Sequence, residues 1–381
     1  MKIRLYNYRV KRKRRHQSMR PVEFASYRKR RVRRKRSHRH GKGRGALKAV
    51  GIIALILVML TAAGAGGFVY LRTAGRKSLQ ASAATTAPNV AESQDASGFV
   101  SRNGKKYAYN QDMINILCMG IDRNTELVSD KTEIGDNGQA DTIFLLALNQ
   151  RENTMKILGI SRDTMTDVKA YDSQGNYVGK SKNHLGLAFS YGDGAARSGE
   201  LMVEAVSNLL YELPVHGYAA VNMNAIQTFN DAVGGVTVTL SEEMNLGGEI
   251  FAAGSTLTLN GAQAESFVRS RDMDREGSNN LRMMRQKQYA LAFITAAQQR
   301  IKKNPAVITE LYGSLTADMT TSIGLDEAVY LASLLPGMQF QIDDIQMLQG
   351  DTKQGTVYEE FYVDDEALLD TVLEVFYQEV V

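Results

Sequence analysis

The sequence predicts a single mixed α/β domain, a central sheet covered by helices, placed outside a membrane behind one transmembrane helix. Three observations carry this expectation. From about residue 110 onward, short apolar runs of strand length alternate with stretches that repeat apolar residues at helical spacing. Ahead of them, the 23 residues from Ala49 to Leu71 carry no charge and follow a strongly basic tail. One cysteine, Cys118, excludes an intramolecular disulfide framework, so the domain must be held by its own core.

The net charge of +5 hides two oppositely charged parts. Of 46 basic and 41 acidic residues, 21 basic and one acidic, Glu23, lie at or before Lys48, which leaves 25 against 40 and a net charge of −15 for the remainder. As a helix, 49–71 reaches roughly 34 Å, enough for a hydrocarbon core of about 30 Å. The basic excess before it places residues 1–48 in the cytoplasm and residues 72–381 outside. The basic region is too long and the apolar stretch too wide for a cleaved signal peptide, so an uncleaved cell-membrane anchor is expected. Polybasic runs such as Lys11-Arg12-Lys13-Arg14-Arg15 beside a span are topology signals that face anionic lipid. Tyr6, Tyr8, Phe24 and Tyr27 are too scattered for a stacking platform, so a nucleic-acid partner is not expected. Residues 72–109, rich in Ala, Ser, Thr and Gly, read as a flexible linker. Residues 110–381 form the domain.

Within that domain, Ile114 to Gly120, Thr142 to Leu148 and Met155 to Ile160 read as strands, the last two joined by the polar turn at 149–153. Gly199 to Tyr211 reads as a helix. Tyr218 to Val221, Ala225 to Val233 and Gly235 to Leu240 read as strand, helix and strand. Asn260 to Val268 and Asn279 to Lys302 are predicted helices, with shorter ones at 305–312 and 325–335. A strand at 339–348 and a helix from Asp365 to Tyr377 complete the expectation.

Five arginines in three clusters stand out in this acidic region: Arg162, Arg269 with Arg271, and Arg282 with Arg285. Guanidinium groups match phosphate oxygens in charge and shape, so converging ones point to a phosphorylated ligand. Arg282, Arg285 and Gln286 share one helix face at i, i+3 and i+4, in early turns where positive charge opposes the helix dipole unless an anion is present. Asp122 and Asp141 are placed at strand ends, at the rim where open sheets bind ligands. Two such carboxylates suit a hard cation, magnesium above all, held together with substrate phosphates; capping a turn is an equally open reading. Arg162 equally suits a structural pair with a neighbouring carboxylate. Cys118, in an apolar run, reads as buried packing.

Two histidines, His184 and His216, lie beyond the span, too few for a histidine zinc site and poorly placed for a Ser-His-Asp triad. No Walker A pattern is present, so the energy of any synthetic reaction must arrive in the substrate.

The motifs Ile116-Leu117-Cys118-Met119-Gly120-Ile121-Asp122, Ala140-Asp141-Thr142-Ile143, Ile160-Ser161-Arg162-Asp163-Thr164, Asp231-Ala232-Val233-Gly234-Gly235-Val236, Arg269-Ser270-Arg271 and Arg282-Met283-Met284-Arg285-Gln286 follow one another in an order that resembles the LytR-CpsA-Psr proteins of bacterial envelopes. The resemblance runs from about Ile114 to Arg300. It implies an extracytoplasmic, magnesium-assisted phosphotransferase that moves a glycopolymer, such as wall teichoic acid or capsule, from a polyprenyl-pyrophosphate carrier onto peptidoglycan. Asp122 and Asp141 match the magnesium carboxylates, and with Arg162 they are the expected catalytic residues. Arg162, Arg271, Arg282 and Gln286, with Arg269 and Arg285, match the positions holding pyrophosphate and head sugar, and Lys182 lies near a basic position of the pattern. Ser161 replaces a frequent Pro, and Gln139 a frequent Arg. An acid, Asp122, Asp141 or Asp163, would accept the proton of the attacking hydroxyl, and the sequence leaves that choice open. Three further readings stay open: a non-catalytic binder of lipid-linked glycans, a membrane-tethered regulator acting through the basic tail, and pyrophosphate hydrolysis with water as acceptor.

Overall fold

The computed structural model describes residues 64–81, 88–90, 98–123, 127, 138–172, 174–270, 278–315, 317–356 and 358–380. The basic tail 1–48 and residues 49–63 of the expected span lie outside them. Among the described residues no helix is long and apolar enough to cross a membrane.

Helix α1 covers 64–81. It continues past Leu71, which corrects the expectation of a flexible linker beginning at residue 72. The physical reason is tertiary: Phe68 and Leu71 pack against Ile301, Val307, Ile308 and Val329, Leu79 is buried, and Arg72 Nε donates to Ser333 Oγ at 2.9 Å. Gly75 is required here, because a Cβ would collide with the Asp326 carbonyl.

Strands β1 (Val100–Arg102) and β2 (Lys105–Tyr109) form a small antiparallel sheet closed by the C-terminal β17 (Tyr377–Val380). The central sheet is built from β3 (Met113–Ile121), β4 (Ala140–Asn149), β5 (Thr154–Ile160), β8 (Gly217–Val221), β13 (Met319–Thr321) and β14 (Ile345–Met347), in the order β13-β8-β3-β4-β5-β14. The β4–β5 turn is set by Asn149, whose Oδ1 accepts from the N–H groups of Arg151 and Glu152 at 3.1 Å each. Between β5 and β8 come the hairpin β6 (Met165–Tyr171) and β7 (Tyr177–His184), the short helix α2 (Leu187–Ser190) and helix α3 (Ala196–Leu209).

After β8, α4 (Ala225–Ala232) leads to a satellite layer: β9 (Val236–Thr239) pairs with β12 (Thr256–Leu259), and β10 (Met244–Leu246) with β11 (Glu249–Phe251). Helix α5 (Gly261–Arg269) starts on a capping box, in which the Asn260 side chain accepts from Gln263 N–H and Gln263 answers the Asn260 N–H. Helix α6 (Ser278–Lys303), α7 (Val307–Ser314) and α8 (Leu325–Leu334) follow. The expected strand at 339–348 is shorter: helical turns at Leu335–Gly337 and Ile342–Asp344 both precede β14. The hairpin β15 (Gly350–Gln354) and β16 (Glu359–Val363) precedes α9 (Asp365–Phe376), which Asp364 caps by accepting from Ala367 N–H at 2.9 Å.

The two faces of the central sheet are covered differently. On the first, Leu117, Met119, Ile121, Ile143, Leu145, Leu158 and Ile160 are buried under α2, α3 and α9. On the second, Ile114, Ile116, Leu148 and Met155 are sealed by Leu79, Ile323, Tyr330 and Met338. Further along the same face, toward the end of β3, cover becomes incomplete: Cys118, Phe144, Leu146, Ile157, Ala219 and Val221 are only half-buried. The register places them side by side, with Cys118 between Phe144 and Ala219, and Leu146 beside Ile157.

Candidate active site

The half-buried strip ends at a charged cluster. In the β3–β4 ladder Gly120 faces Thr142 and Ile121 faces Ala140, so Asp141 is the extra residue of a β-bulge. A bulge interrupts the ladder and re-aims a side chain. Asp122 follows β3 directly. Its Oδ1 accepts from Gln139 N–H at 2.7 Å, while its own N–H donates to Gln139 O at 3.1 Å. Gly138, at φ +79°, permits this approach, since a Cβ there would stand 3.2 Å from Asp122 Oδ1.

Arg162 leaves the end of β5 toward the same place. Its Nη1 donates to Asp141 Oδ1, and its Nε lies 3.5 Å from Asp163 Oδ1. Burial works against the guanidinium charge, but the hydrogen bond from Arg162 to Asp141 and the charges of Asp141, Asp163 and Asp122 outweigh it and raise the pKa above the ordinary arginine value. Three carboxylates around one guanidinium leave the cluster with two negative charges in excess. With side chains 47% exposed for Arg162 and 38% for Asp141, it is open to a ligand.

Gly186 ties the strand ends together. Its N–H donates to Arg162 O at 2.9 Å, and its carbonyl accepts from Ala140 N–H at 3.2 Å. A Cβ on Gly186 would stand 2.9 Å from Ala140 O and 3.1 Å from Arg162 Cβ. Sequence reasoning passed over this residue, because a glycine after a strand carries no chemical signal by itself.

The remaining expected site residues have other partners or are not described. Arg269 ends α5 and pairs with Glu265 one turn back. It borders an open depression of about 400 Å³ with Gly247, Ala262, Glu265, Ser266 and Ser270. Arg285 is 7% exposed; it donates to Glu242 Oε1 at 2.8 Å and to the Ser270 carbonyl, and burial lowers its pKa against the opposing pull of Glu242. Gln286 Nε2 donates to Val268 O at 3.2 Å. Arg285 and Gln286 therefore bind the end of α5 to α6, a structural task that the shared helix face did not disclose. Arg271 lies outside the described residues, and of Arg282 only the backbone, near the start of α6, is described. Lys182 is exposed on β7, opposite Asp167. Burial in the apolar strip pushes the Cys118 thiol up to about 11, which leaves it an inert packing group.

The donor chemistry at Asp122 and Asp141 fits a hard divalent cation: carboxylate oxygens in a cluster with excess negative charge. Among the described residues no three His, Cys, Asp or Glu side chains stand close enough to hold a metal together. A cation here would complete its sphere with ligand oxygens and water.

An open α/β sheet with a guanidinium and carboxylates outside its strand ends, beside an apolar strip, defines a protein suited to a charged, amphiphilic ligand. The chain belongs to the LytR_cpsA_psr family, whose sequence model matches residues 72–374. It is 30% identical over 261 residues to the polyisoprenyl-teichoic acid–peptidoglycan teichoic acid transferase TagU of Oceanobacillus iheyensis, covering 68% of this chain and 73% of that protein. To TagU of Bacillus subtilis it is 26% identical over 330 residues, 85% of this chain and 94% of that one. Among solved structures it resembles B. subtilis TagV, with a TM-score of 0.53 at 25% identity over 69% of this chain and 95% of that one. TagT bound to LIIa-WTA gives a TM-score of 0.51 at 20% identity, over 70% and 90% of the two chains, a likeness of fold.

Proposed function

We propose that the protein is a membrane-anchored phosphotransferase that moves a glycopolymer, of the teichoic acid kind, from a polyprenyl-pyrophosphate carrier onto peptidoglycan. The observation that carries this reading is the junction of an incompletely covered apolar strip, Cys118 to Val221, with the Arg162 cluster. A lipid pyrophosphate has those two parts, an apolar tail and a concentrated anionic head. The names of the relatives support the same substrate and acceptor. The basic tail followed by 23 uncharged residues supports a single span with the domain outside.

In this reading the tail lies along the half-buried strip and the pyrophosphate reaches Arg162. Transfer forms a bond between an acceptor sugar oxygen and the phosphorus bearing the glycan, and breaks the bond from that phosphorus to the bridging oxygen. The leaving group is polyprenyl phosphate. Arg162 stabilises the charge that gathers on the phosphoryl oxygens, a differential interaction that lowers the barrier. The hydroxyl proton would pass to Asp163, Asp122 or Asp141, of which Asp163 is the one not assigned to a cation. Asp122 and Asp141 would hold magnesium, which when bound neutralises pyrophosphate charge. Lys182 and Arg269 remain available to the substrate or acceptor, whereas Arg285 and Gln286 act by fixing the α5–α6 junction.

The test uses the full chain in detergent, a synthetic polyprenyl-pyrophosphate disaccharide and peptidoglycan fragments, with and without magnesium. Glycan phosphate should appear on the acceptor, and Arg162→Ala should slow it by about 10²- to 10³-fold while leaving the melting temperature within a few degrees. Donor binding without turnover, unaffected by metal, would replace the transferase with a glycan-binding anchor.

A further inference from the structure

An aromatic and basic strip lies beside the cluster on the other side from the apolar strip. Strand β7 pairs with β6 so that Met165 faces His184 and Asp167 faces Lys182. Because side chains alternate along a strand, His184, Lys182 and Lys180 share one face of β7, whereas Val178 is the extra residue of a bulge between Tyr177 and Gly179. Lys182 and Lys180 are exposed, and Lys180 Nζ lies 3.9 Å from Glu204 Oε1 of α3. The opposite face carries Val168, which is buried in the core beside α3 residues Met202 and Val206. The row from His184 to Lys180 extends about 13 Å.

Tyr358 meets the inner end of this row. It is 69% exposed, and its ring stands edge-on to His184 with centroids 6.2 Å apart and planes at 64°. Its position is fixed from the site side. In the same hairpin, Phe361 N–H donates to Asp163 O at 2.9 Å, and Thr164 bridges Phe361. His184 is fixed likewise, since the next residue, Leu185, donates its N–H to Thr164 O at 2.8 Å, and Gly186 donates to Arg162 O. Both rings are thus hung from the Arg162-Asp163-Thr164 turn, by backbone hydrogen bonds a few residues long.

The β6–β7 hairpin packs on the α3 side of the sheet, whereas the apolar strip Cys118, Phe144 and Leu146 lies on the opposite face. The cluster sits at the edge between them. A donor whose tail occupies the apolar strip leaves the His184–Tyr358 side free for the second substrate. Exposed aromatic faces stack on the C–H faces of sugar rings, and a row of about 13 Å that continues them with the exposed Lys182 suits an extended glycan more than a compact ligand.

We propose that Tyr358 and His184, continued by Lys182, form the acceptor platform, on which a sugar ring of the peptidoglycan glycan strand stacks with its hydroxyl toward Asp163. This rests on the transferase reading for its ligand, and deepens it by assigning the acceptor to the α3 face. It also gives Lys182 a place on the acceptor path instead of in the pyrophosphate site.

Two measurements on the full chain test it. In saturation-transfer NMR without donor, peptidoglycan glycan fragments should bind the wild type and Tyr358→Phe alike, and Tyr358→Ala about tenfold more weakly. In turnover with the polyprenyl-pyrophosphate disaccharide, Tyr358→Ala should raise acceptor KM by a similar factor, with donor KM and release of glycan phosphate to water unchanged. His184→Ala should act in the same direction. Equal glycan binding by wild type and Tyr358→Ala would overturn the platform. Binding lost in Tyr358→Ala, but with no transfer by the wild type, would uphold the platform as a glycan site while removing the transferase reading.

Discussion

The two faces of the central sheet are made by the same strands, yet one is closed and the other is open along half its length. On β4, Leu145 is fully buried against the α3 side, and its neighbour Leu146, pointing the other way, is half-buried. A sheet needs one closed face to be stable, and α2, α3 and α9 supply it. The second face is sealed where α1 and α8 lie on it, at Ile114, Ile116, Leu148 and Met155. Beyond that seal α6 has its main neighbours in β9, α5 and the turn at Leu335–Gly337, and the strip from Cys118 to Val221 is left with partial cover. The difference separates what stability requires from what a ligand requires. An apolar surface kept half-open costs stability, and it stands at the end of the sheet that carries Asp122, Asp141 and Arg162.

Neighbouring leucines offer the largest contrast. Leu145→Ala should cost about 3 kcal/mol of unfolding free energy, as large-to-small changes in a closed core do, whereas Leu146→Ala should cost about 1 kcal/mol. Denaturant titration of both variants reads this directly, and equal losses would mean that the second face is as tightly closed as the first. A smaller effect comes from the ion pair that fastens α9 over the closed face. Lys156 Nζ lies 2.6 Å from Glu374 Oε1. The hydrogen bond from Lys156, with one from Gln346, holds the Glu374 carboxyl below its ordinary 4.5, against the upward effect of burial. A depressed carboxyl contributes stability that is present above its unfolded value and lost as pH falls through the folded one. Melting temperatures recorded from about pH 7 down to about pH 3 should therefore fall less steeply in Lys156→Met, by an amount worth a few tenths of a kcal/mol for so exposed a pair.

Most of the central sheet was legible before its geometry was known. The strands around Ile116, Leu145 and Leu158 are apolar on both faces, and such runs announce themselves without any partner. Helix α5 was legible from its capping box, and helix α6 from apolar residues recurring at helical spacing. The hairpins were not. Every residue of β15 is exposed, and β7 alternates between Lys, Ser, Asn and Gly, so neither carries an apolar period. Residues 72–81 read as linker because they are small and charged; their helix is stabilised by contacts of Gly75 and Leu79 that only the fold provides. In the site, the residue types at Asp122, Asp141 and Arg162 were readable, but their meeting depends on a bulge at Asp141 and on Gly186, neither of which has a sequence pattern of its own. The face shared by Arg285 and Gln286 was also readable, and its target, the end of α5, was not.

In the proposed reading the half-buried part of the second face receives the lipid tail. Ala219 lies at the β8 edge of that strip, beside Cys118, and is half-buried. The most direct measurement is the dependence of donor KM on tail length in the wild type and in Ala219→Phe. The wild type should favour a long polyprenyl tail over a short one by about tenfold or more, from the apolar area the strip removes from water, and Ala219→Phe should erase that preference while the short-tailed donor reacts as before. An unchanged preference for the long tail in Ala219→Phe would contradict the account and place the lipid elsewhere on the molecule.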